Sequence, residues 1–232
     1  MNRRQVVQLV ALGGLTLPLA GCTNNAAEDD ENEENDTADG NGNGTVNEEE
    51  EETPDGPEEQ KLSGTGPEAS NDVSIQGGLI VVDATHEGED DFEVRLIPEN
   101  SDAGKVFADS SGTYAGQTAR HIGEGTYQLS VVADGGWEVT IKQPRPTSGE
   151  SPPLSINGTG NEVHGPFEFA GSHQPSGDYD GERISVNVLS PTGDSRAFVF
   201  HEDSINNPSA FDYEDVGYIE IKSDGEWSIE IE

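Results

Sequence analysis

Sulfur and positive charge are both scarce in this chain. Among 232 residues there is one Cys and one Met, which excludes a disulfide framework, Cys-rich zinc and iron–sulfur sites, and blue-copper centres that need a Cys with an internal Met. Lys and Arg total 11 against 47 Asp and Glu, a formal net charge of −36, so electrostatic attraction to nucleic-acid phosphates is excluded as well. Apolar residues are few: 31% of the chain is hydrophobic and the mean hydropathy is −0.67, enough for a small or divided core. The longest mostly apolar stretch, Val6 to Leu19, contains Gly13, Gly14 and Pro18 and spans 14 residues. A membrane-spanning helix requires roughly 20.

What is present begins with an address. A basic start, the apolar stretch and small residues ahead of Cys22 form a secretory signal over residues 1–21. Leu19-Ala20-Gly21-Cys22 resembles a lipobox, which implies that Cys22 becomes the lipid-bearing first residue of the mature protein. Arg3-Arg4-Gln5-Val6-Val7 resembles the twin-arginine export signature and so implies export in the folded state, although the preceding Ser or Thr of the fuller pattern is missing and paired bases also occur in ordinary Sec signals. With the extreme acidity, these features resemble secreted lipoproteins of halophilic archaea, in which an acidic, hydrated surface keeps protein soluble in concentrated salt. The implied location is the extracellular face of the cell membrane, anchored through lipid on Cys22.

A tether follows, over residues 22–60. From Thr23 to Gln60 there are 16 acidic residues, no Lys or Arg, and only Ala26, Ala27, Ala38 and Val46 as hydrophobics, a composition that cannot bury a core and is expected to be disordered. Glu48 to Glu52 repel one another, and Asn41-Gly42-Asn43-Gly44 adds flexibility. A spacer of this length reaches about 130 Å fully extended and averages roughly 35 Å as a coil. Asn35, Asn43 and Asn157 each begin an Asn-x-Thr glycosylation pattern, whose use in an exported chain is an open alternative to chance occurrence.

Beyond Gln60 the pattern changes to alternating apolar and polar residues punctuated by Gly, Pro, Asn and Asp, the signature of strands. Tyr127, Leu129 and Val131 lead through Asp134-Gly135-Gly136 into Trp137, Val139 and Ile141, which reads as a hairpin. The design recurs 90 residues later, where Ile219 and Ile221 lead through Asp224-Gly225-Glu226 into Trp227, Ile229 and Ile231. Further marks repeat at offsets of 94, 87 and 92: Gly64-Thr65-Gly66 with Gly158-Thr159-Gly160, Gly78 and His86 with Gly165 and His173, and Val94-Arg95-Leu96 with Val186-Asn187-Val188. The expected architecture is all-β, with two tandem small antiparallel β-sandwiches over 61–146 and 154–232 joined by a Pro-rich linker, 147–153. Expected core residues are Phe92, Val94 and Leu96 in the first repeat, Val186, Val188, Phe198 and Phe200 in the second, and a tryptophan anchoring each.

Signals for chemistry are sparse. His86, His121, His164, His173 and His201 lack metal-binding spacing. The acidic loops Glu87 to Asp91 and Asp178 to Glu182 have oxygen donors suited to calcium but no EF-hand spacing, and read better as solvated loops. There is no nucleophile elbow and no phosphate loop. No catalytic residue, metal ligand set or cofactor is therefore expected. The expected role is a non-catalytic surface binding or structural module whose partners are the membrane, envelope glycans, divalent cations or surface proteins. An extracellular hydrolase acting on polysaccharide or another polymer is the alternative.

Overall fold

A computed structural model describes residues 56–232 except 102, 194, 202, 203 and 206. Every regular element among them is a strand, and none is a helix that could cross a membrane. In the first half β1 (Gln60–Thr65), β2 (Glu68–His86), β3 (Asp91–Pro98), β4 (Lys105–Ser111), β5 (Tyr114–Val132) and β6 (Gly136–Lys142) form one antiparallel sheet in the order β1-β6-β2-β5-β3-β4. The second half contains β7 (Leu154–Thr159), β8 (Glu162–His173), β9 (Pro175–Asp180), β10 (Ile184–Leu189), β11 (Arg196–His201), β12 (Phe211–Ser223) and β13 (Glu226–Ile231). These form two sheets, β11-β10-β12-β8 and β7-β13-β9.

Pairing registers relate the halves. Val94 lies opposite Val131 and Val186 opposite Ile221, and the strand on the other side of each bulges at Val94/Arg95 and at Val186/Asn187, where Phe107 of β4 and Val199 of β11 fall outside the register. Trp137 donates its indole N–H to Gly66 O at 2.9 Å, and Trp227 donates to Gly160 O at 3.0 Å. The two acceptors sit in turns with φ of +77° and +73°, a conformation that glycine adopts without steric cost. Both tryptophans are only 3% exposed, as expected of core anchors.

In the first half β2 and β5 are long enough to serve both layers. Val73 and Ile75 point into the core, but after Gly77 and Gly78, at φ +82° and +90°, the inward positions become Ile80, Val82 and Ala84. This change of parity carries the strand from one layer to the other, because side chains otherwise alternate with a period of two. In the second half the corresponding kink is Gly171, at φ +94°, 94 residues after Gly77. There β8 pairs with β12 while the separate β9 pairs with β13, and the sheet divides in two.

Three expectations require correction. The Asp134 and Asp224 turns do not close hairpins: β5 pairs with β2 and β3 while β6 pairs with β1 and β2, and β12 and β13 likewise have separate partners. Each turn is an arch between layers, so the alternating apolar residues on either side meet across the core. His86 does not correspond to His173, since His86 lies opposite Trp137 whereas Tyr179 lies opposite Trp227. Phe198 is 51% exposed although Phe200 is fully buried. The bulge opposite Val186/Asn187 places Val199 between them without a partner, so two residues that simple alternation puts on one face lie on opposite faces.

Phe92, Val94, Leu96, Val186 and Val188 are fully buried as expected. Each half has its own apolar core, and a third cluster of Leu79, Val81, Ala119, Leu189 and Tyr218 joins them. The connecting segment is bonded to both sides. Gln143 accepts the Gln76 N–H and donates to Ser74 O, both at 2.8 Å, and Arg145 donates to the carbonyls of Leu79 and Gly77. Glu150 N–H donates to Pro166 O, and Glu150 O accepts from the Glu168 N–H. At the same Ser74, the Gln60 side chain donates to the carbonyl O at 2.9 Å and accepts the N–H at 3.2 Å.

Candidate functional site

Where the halves meet, four chain segments surround an open cleft of about 570 Å³. The end of β4 and the start of β5 contribute Asp109, Ser110, Thr113 and Tyr114; the β7–β8 turn contributes Gly160 and Asn161. The start of β10 contributes Arg183 and Ser185, and the end of β12 contributes Lys222, Ser223 and Asp224. Thr113 and Tyr114 also line a second depression, beside Trp137 and His86. The two hollows share that wall.

Asn161 ties the walls together. Its backbone O accepts the Gln117 N–H at 2.8 Å, its side-chain O accepts the Ser223 N–H at 3.2 Å, and its amide donates to the Tyr114 hydroxyl at 3.5 Å. Burial raises the Tyr114 pKa above its ordinary value, so the hydroxyl remains protonated and keeps its own hydrogen to donate.

Against the cleft-lining Lys222 lies a buried carboxylate. Glu220 Oε1 accepts the Ala119 N–H at 3.1 Å, approaches Arg120 Nη1 at 3.2 Å and Lys222 Nζ at 3.1 Å, and its side chain is 3% exposed. The partly exposed Arg120 and Lys222 side chains carry its charge toward solvent. Desolvation lowers the Lys222 pKa, opposed by Glu220 and reinforced by the nearby Arg120 and Arg196. Arg196 in turn donates to the buried Asn187 side chain at 2.8 Å.

Asp224 on the cleft wall is committed to structure. It accepts the Glu182 and Arg183 N–H groups at 2.9 and 3.0 Å, and these bonds hold its carboxyl below the ordinary carboxylate range. Asp134 performs the same task in the first half: it accepts the Glu89 N–H at 3.1 Å, and its pKa is lowered for the same reason. The Arg183 side chain is 82% exposed and approaches Asp224 only to 3.8 Å. It is therefore available to a ligand over the cleft.

The histidines serve other purposes. His86 is fully buried, stacked 4.6 Å from Phe92, with Nδ1 2.9 Å from Gly112 O and Nε2 3.1 Å from Asp134 Oδ1. Both ring nitrogens face oxygen atoms of the protein. His121 Nε2 bonds Ser190 O at 2.7 Å across the interface, His164 Nε2 lies 2.8 Å from Glu162, and His173 accepts the Ala170 N–H. Among the described residues no group of three His, Cys, Asp or Glu is placed to hold a metal ion.

Asn157 stands exposed on β7, an edge strand, where a glycan has access. Cys22, Arg3, Arg4, Asn35 and Asn43 lie outside the described residues. Sequence reasoning missed Tyr114, Asn161, Arg183, Glu220 and Lys222. Their only signal was that bases are rare after Gln60, and linear order does not show that several converge.

No family model matches the chain, and no curated protein does. Two solved structures show remote likeness. A putative alpha-L-fucosidase from Bacteroides ovatus aligns at 12% identity and a TM-score of 0.21, over 71% of this chain and 34% of that one, or about a third of its length. The guanosine-bound regulatory subunit of a cAMP-independent protein kinase A from Trypanosoma cruzi aligns at 8% identity and a TM-score of 0.20, over 71% and 72% of the two chains.

Proposed function

We propose that this protein is a lipid-anchored, non-catalytic binding module of the extracellular membrane face, which takes its ligand in the cleft between its halves. The cleft carries the reading: it draws side chains from both halves, which are fastened together by an apolar cluster, hydrogen bonds and a buried carboxylate. Such a preassembled concave site loses little conformational freedom on binding. The address rests on the signal over residues 1–21 and on Cys22, and the acidity fits export into concentrated salt, as in the halophilic archaeal lipoproteins it resembles. The acidic segment 23–60 supplies reach beyond the lipid surface.

The chemistry of the cleft favours binding over hydrolysis. Hydrolysis of a glycosidic bond normally needs a carboxylic acid with a raised pKa beside a second carboxylate. Here Asp224 is held below the ordinary range by loop N–H bonds, and no histidine lines the cleft. The test has two arms. Intact-mass analysis of membrane-extracted protein should find lipid on Cys22, and Cys22→Ser should release the protein to the medium or leave it unprocessed; an unmodified Cys22 in membrane-associated mature protein refutes the anchor. Calorimetry of the mature protein with envelope glycans should give binding without turnover. Turnover lost in Asp109→Asn, with the fold intact, would replace the module with a hydrolase.

A further inference from the structure

The distribution of charge specifies the ligand further. The chain from Lys61 onward holds nine bases and 31 acids, a net charge of −22, yet two of those bases line the cleft and two more stand near one of them. Arg183 and Lys222 line it, and Arg120 and Arg196 lie near enough to act on the Lys222 ammonium. Carboxylates lie among them: Asp109 and Asp224 on the lining, Glu220 against Arg120 and Lys222, and Asp83 near enough to act on the Tyr114 hydroxyl. Glu220 is buried and already shared by Arg120 and Lys222, and Asp224 is occupied by two loop N–H groups. The lining itself is balanced, two bases beside two acids, within a strongly anionic fold. Two of its cations reach the opening, one of them highly exposed and loosely paired.

Hydroxyl groups complete the lining. The Tyr114 hydroxyl accepts from Asn161, and the Ser185 hydroxyl accepts from Asn187 at 3.3 Å, so each retains a hydrogen to donate. Ser110 and Thr113 stand on the same wall as Tyr114. We infer that the cleft takes a carbohydrate bearing an acidic group, a uronate or a sulfated sugar, with Arg183 and Lys222 on the acid and Tyr114 and Ser185 on sugar hydroxyls. This rests on the reading of the cleft as a binding site. Arginine fits the planar uronate or the sulfate by two parallel N–H bonds. The partly desolvated lysine gains an anionic partner at a smaller dehydration cost than a surface lysine incurs. Concentrated salt screens the long-range repulsion between an anionic sugar and the acidic fold while sparing contacts inside the cleft.

The experiment is calorimetry of the full mature protein in molar salt with four probes: an oligogalacturonate, the same oligosaccharide with its carboxyls methyl-esterified, a sulfated galactan oligosaccharide and a glutamate oligopeptide. Oligogalacturonate, the sulfated oligosaccharide or both should bind, with the methyl ester weaker by about tenfold or more, the loss expected for one charge-assisted contact. Arg183→Ala should weaken the anionic probe by about tenfold and Arg183→Glu should abolish its binding. Lys61→Ala, on the exposed edge strand β1, should change nothing. Because Arg183 is exposed, these variants should retain the wild-type fold, which tryptophan fluorescence checks. Equal binding of the ester and the free acid, unaffected by Arg183→Glu, overturns the acidic-sugar assignment but leaves the cleft a sugar site. Preference for the glutamate peptide overturns the carbohydrate assignment. If no probe binds and none protects the cleft from hydrogen exchange, both the assignment and the cleft as a sugar site are overturned.

Discussion

Removing the Glu220 carboxylate should weaken the joint between the halves, and the size of the effect follows from its neighbours. Glu220→Ala leaves the Ala119 N–H, which belongs to a residue 1% exposed, without an acceptor, at a cost of about 1–3 kcal/mol. The Arg120 and Lys222 side chains are 35% and 36% exposed, so each turns to water when its partner is lost and adds at most about 1 kcal/mol. The total is about 1–5 kcal/mol, its upper part reaching what breaking a wholly buried ion pair costs. Glu220→Gln keeps an oxygen for Ala119 and should cost only about 1 kcal/mol. Trp137 and Trp227 make the assay selective, because each half contains one tryptophan. In Trp137→Phe only the second half fluoresces from tryptophan, and in Trp227→Phe only the first. Urea unfolding of both backgrounds at fixed high salt should coincide with Glu220 present. It should shift to lower urea, or separate into two transitions, with Glu220→Ala. A Glu220→Ala protein within about 0.5 kcal/mol of its parent, a range typical of neutral surface changes, would refute the assignment of Glu220 to the joint.

Trp137→Ala and Trp227→Ala should each cost about 3–5 kcal/mol by leaving a cavity, whereas the Phe variants, losing mainly the indole bond to Gly66 or Gly160, should cost about 1–2 kcal/mol; equal losses for Ala and Phe in chemical denaturation would exclude the packing argument. Asp134 and Asp224 have folded pKa values below their ordinary value of 3.8, so the unfolded chain binds more protons in that range and their contribution, complete above the ordinary pKa, is lost as pH falls through the lowered folded values. Asp134→Asn/Asp224→Asn should therefore flatten the acid limb of a stability–pH curve relative to wild type, and an unchanged limb would contradict it. Diluting salt should destabilise the folded region through repulsion among its carboxylates; thermal melts indifferent to salt would count against the halophilic reading.

Much of this fold was legible because alternation is a local property. The Leu129/Val131 and Trp137/Val139/Ile141 series mark inward faces wherever those strands end up, and the same alternation recurs around Trp227. Partner choice is not local. An Asp-Gly turn between alternating runs suits a hairpin, but the Asp134 and Asp224 carboxylates instead hold neighbouring loops, and the strands part into opposite layers. Phe198 was misplaced because one bulged residue, invisible in the periodicity, reverses the face of everything beyond it. Glu220 and Lys222 alternate with Ile219 and Ile221 and so belong to the outer face of their sheet. Only contact with the other half buries Glu220 there, and that information is distributed over residues 100 positions away.

The Gln60 side chain acquires a mechanical meaning if the chain is anchored through the segment that precedes it. If Cys22 is held in lipid, any pull on a captured ligand enters the folded region at β1, an edge strand paired only with β6, beginning at Gln60 and Ile141. Tension at that end peels an antiparallel strand one pair at a time, the weakest way to load it. The Gln60 amide, clamped to both backbone groups of Ser74 on β2, spreads the force to a second strand before the first pair opens. Gln143, bonded to the same Ser74 carbonyl and to the Gln76 N–H, braces the anchorage from behind. The first strand of the fold is thereby riveted to β2, and tension on the chain ahead of it meets two strands at once.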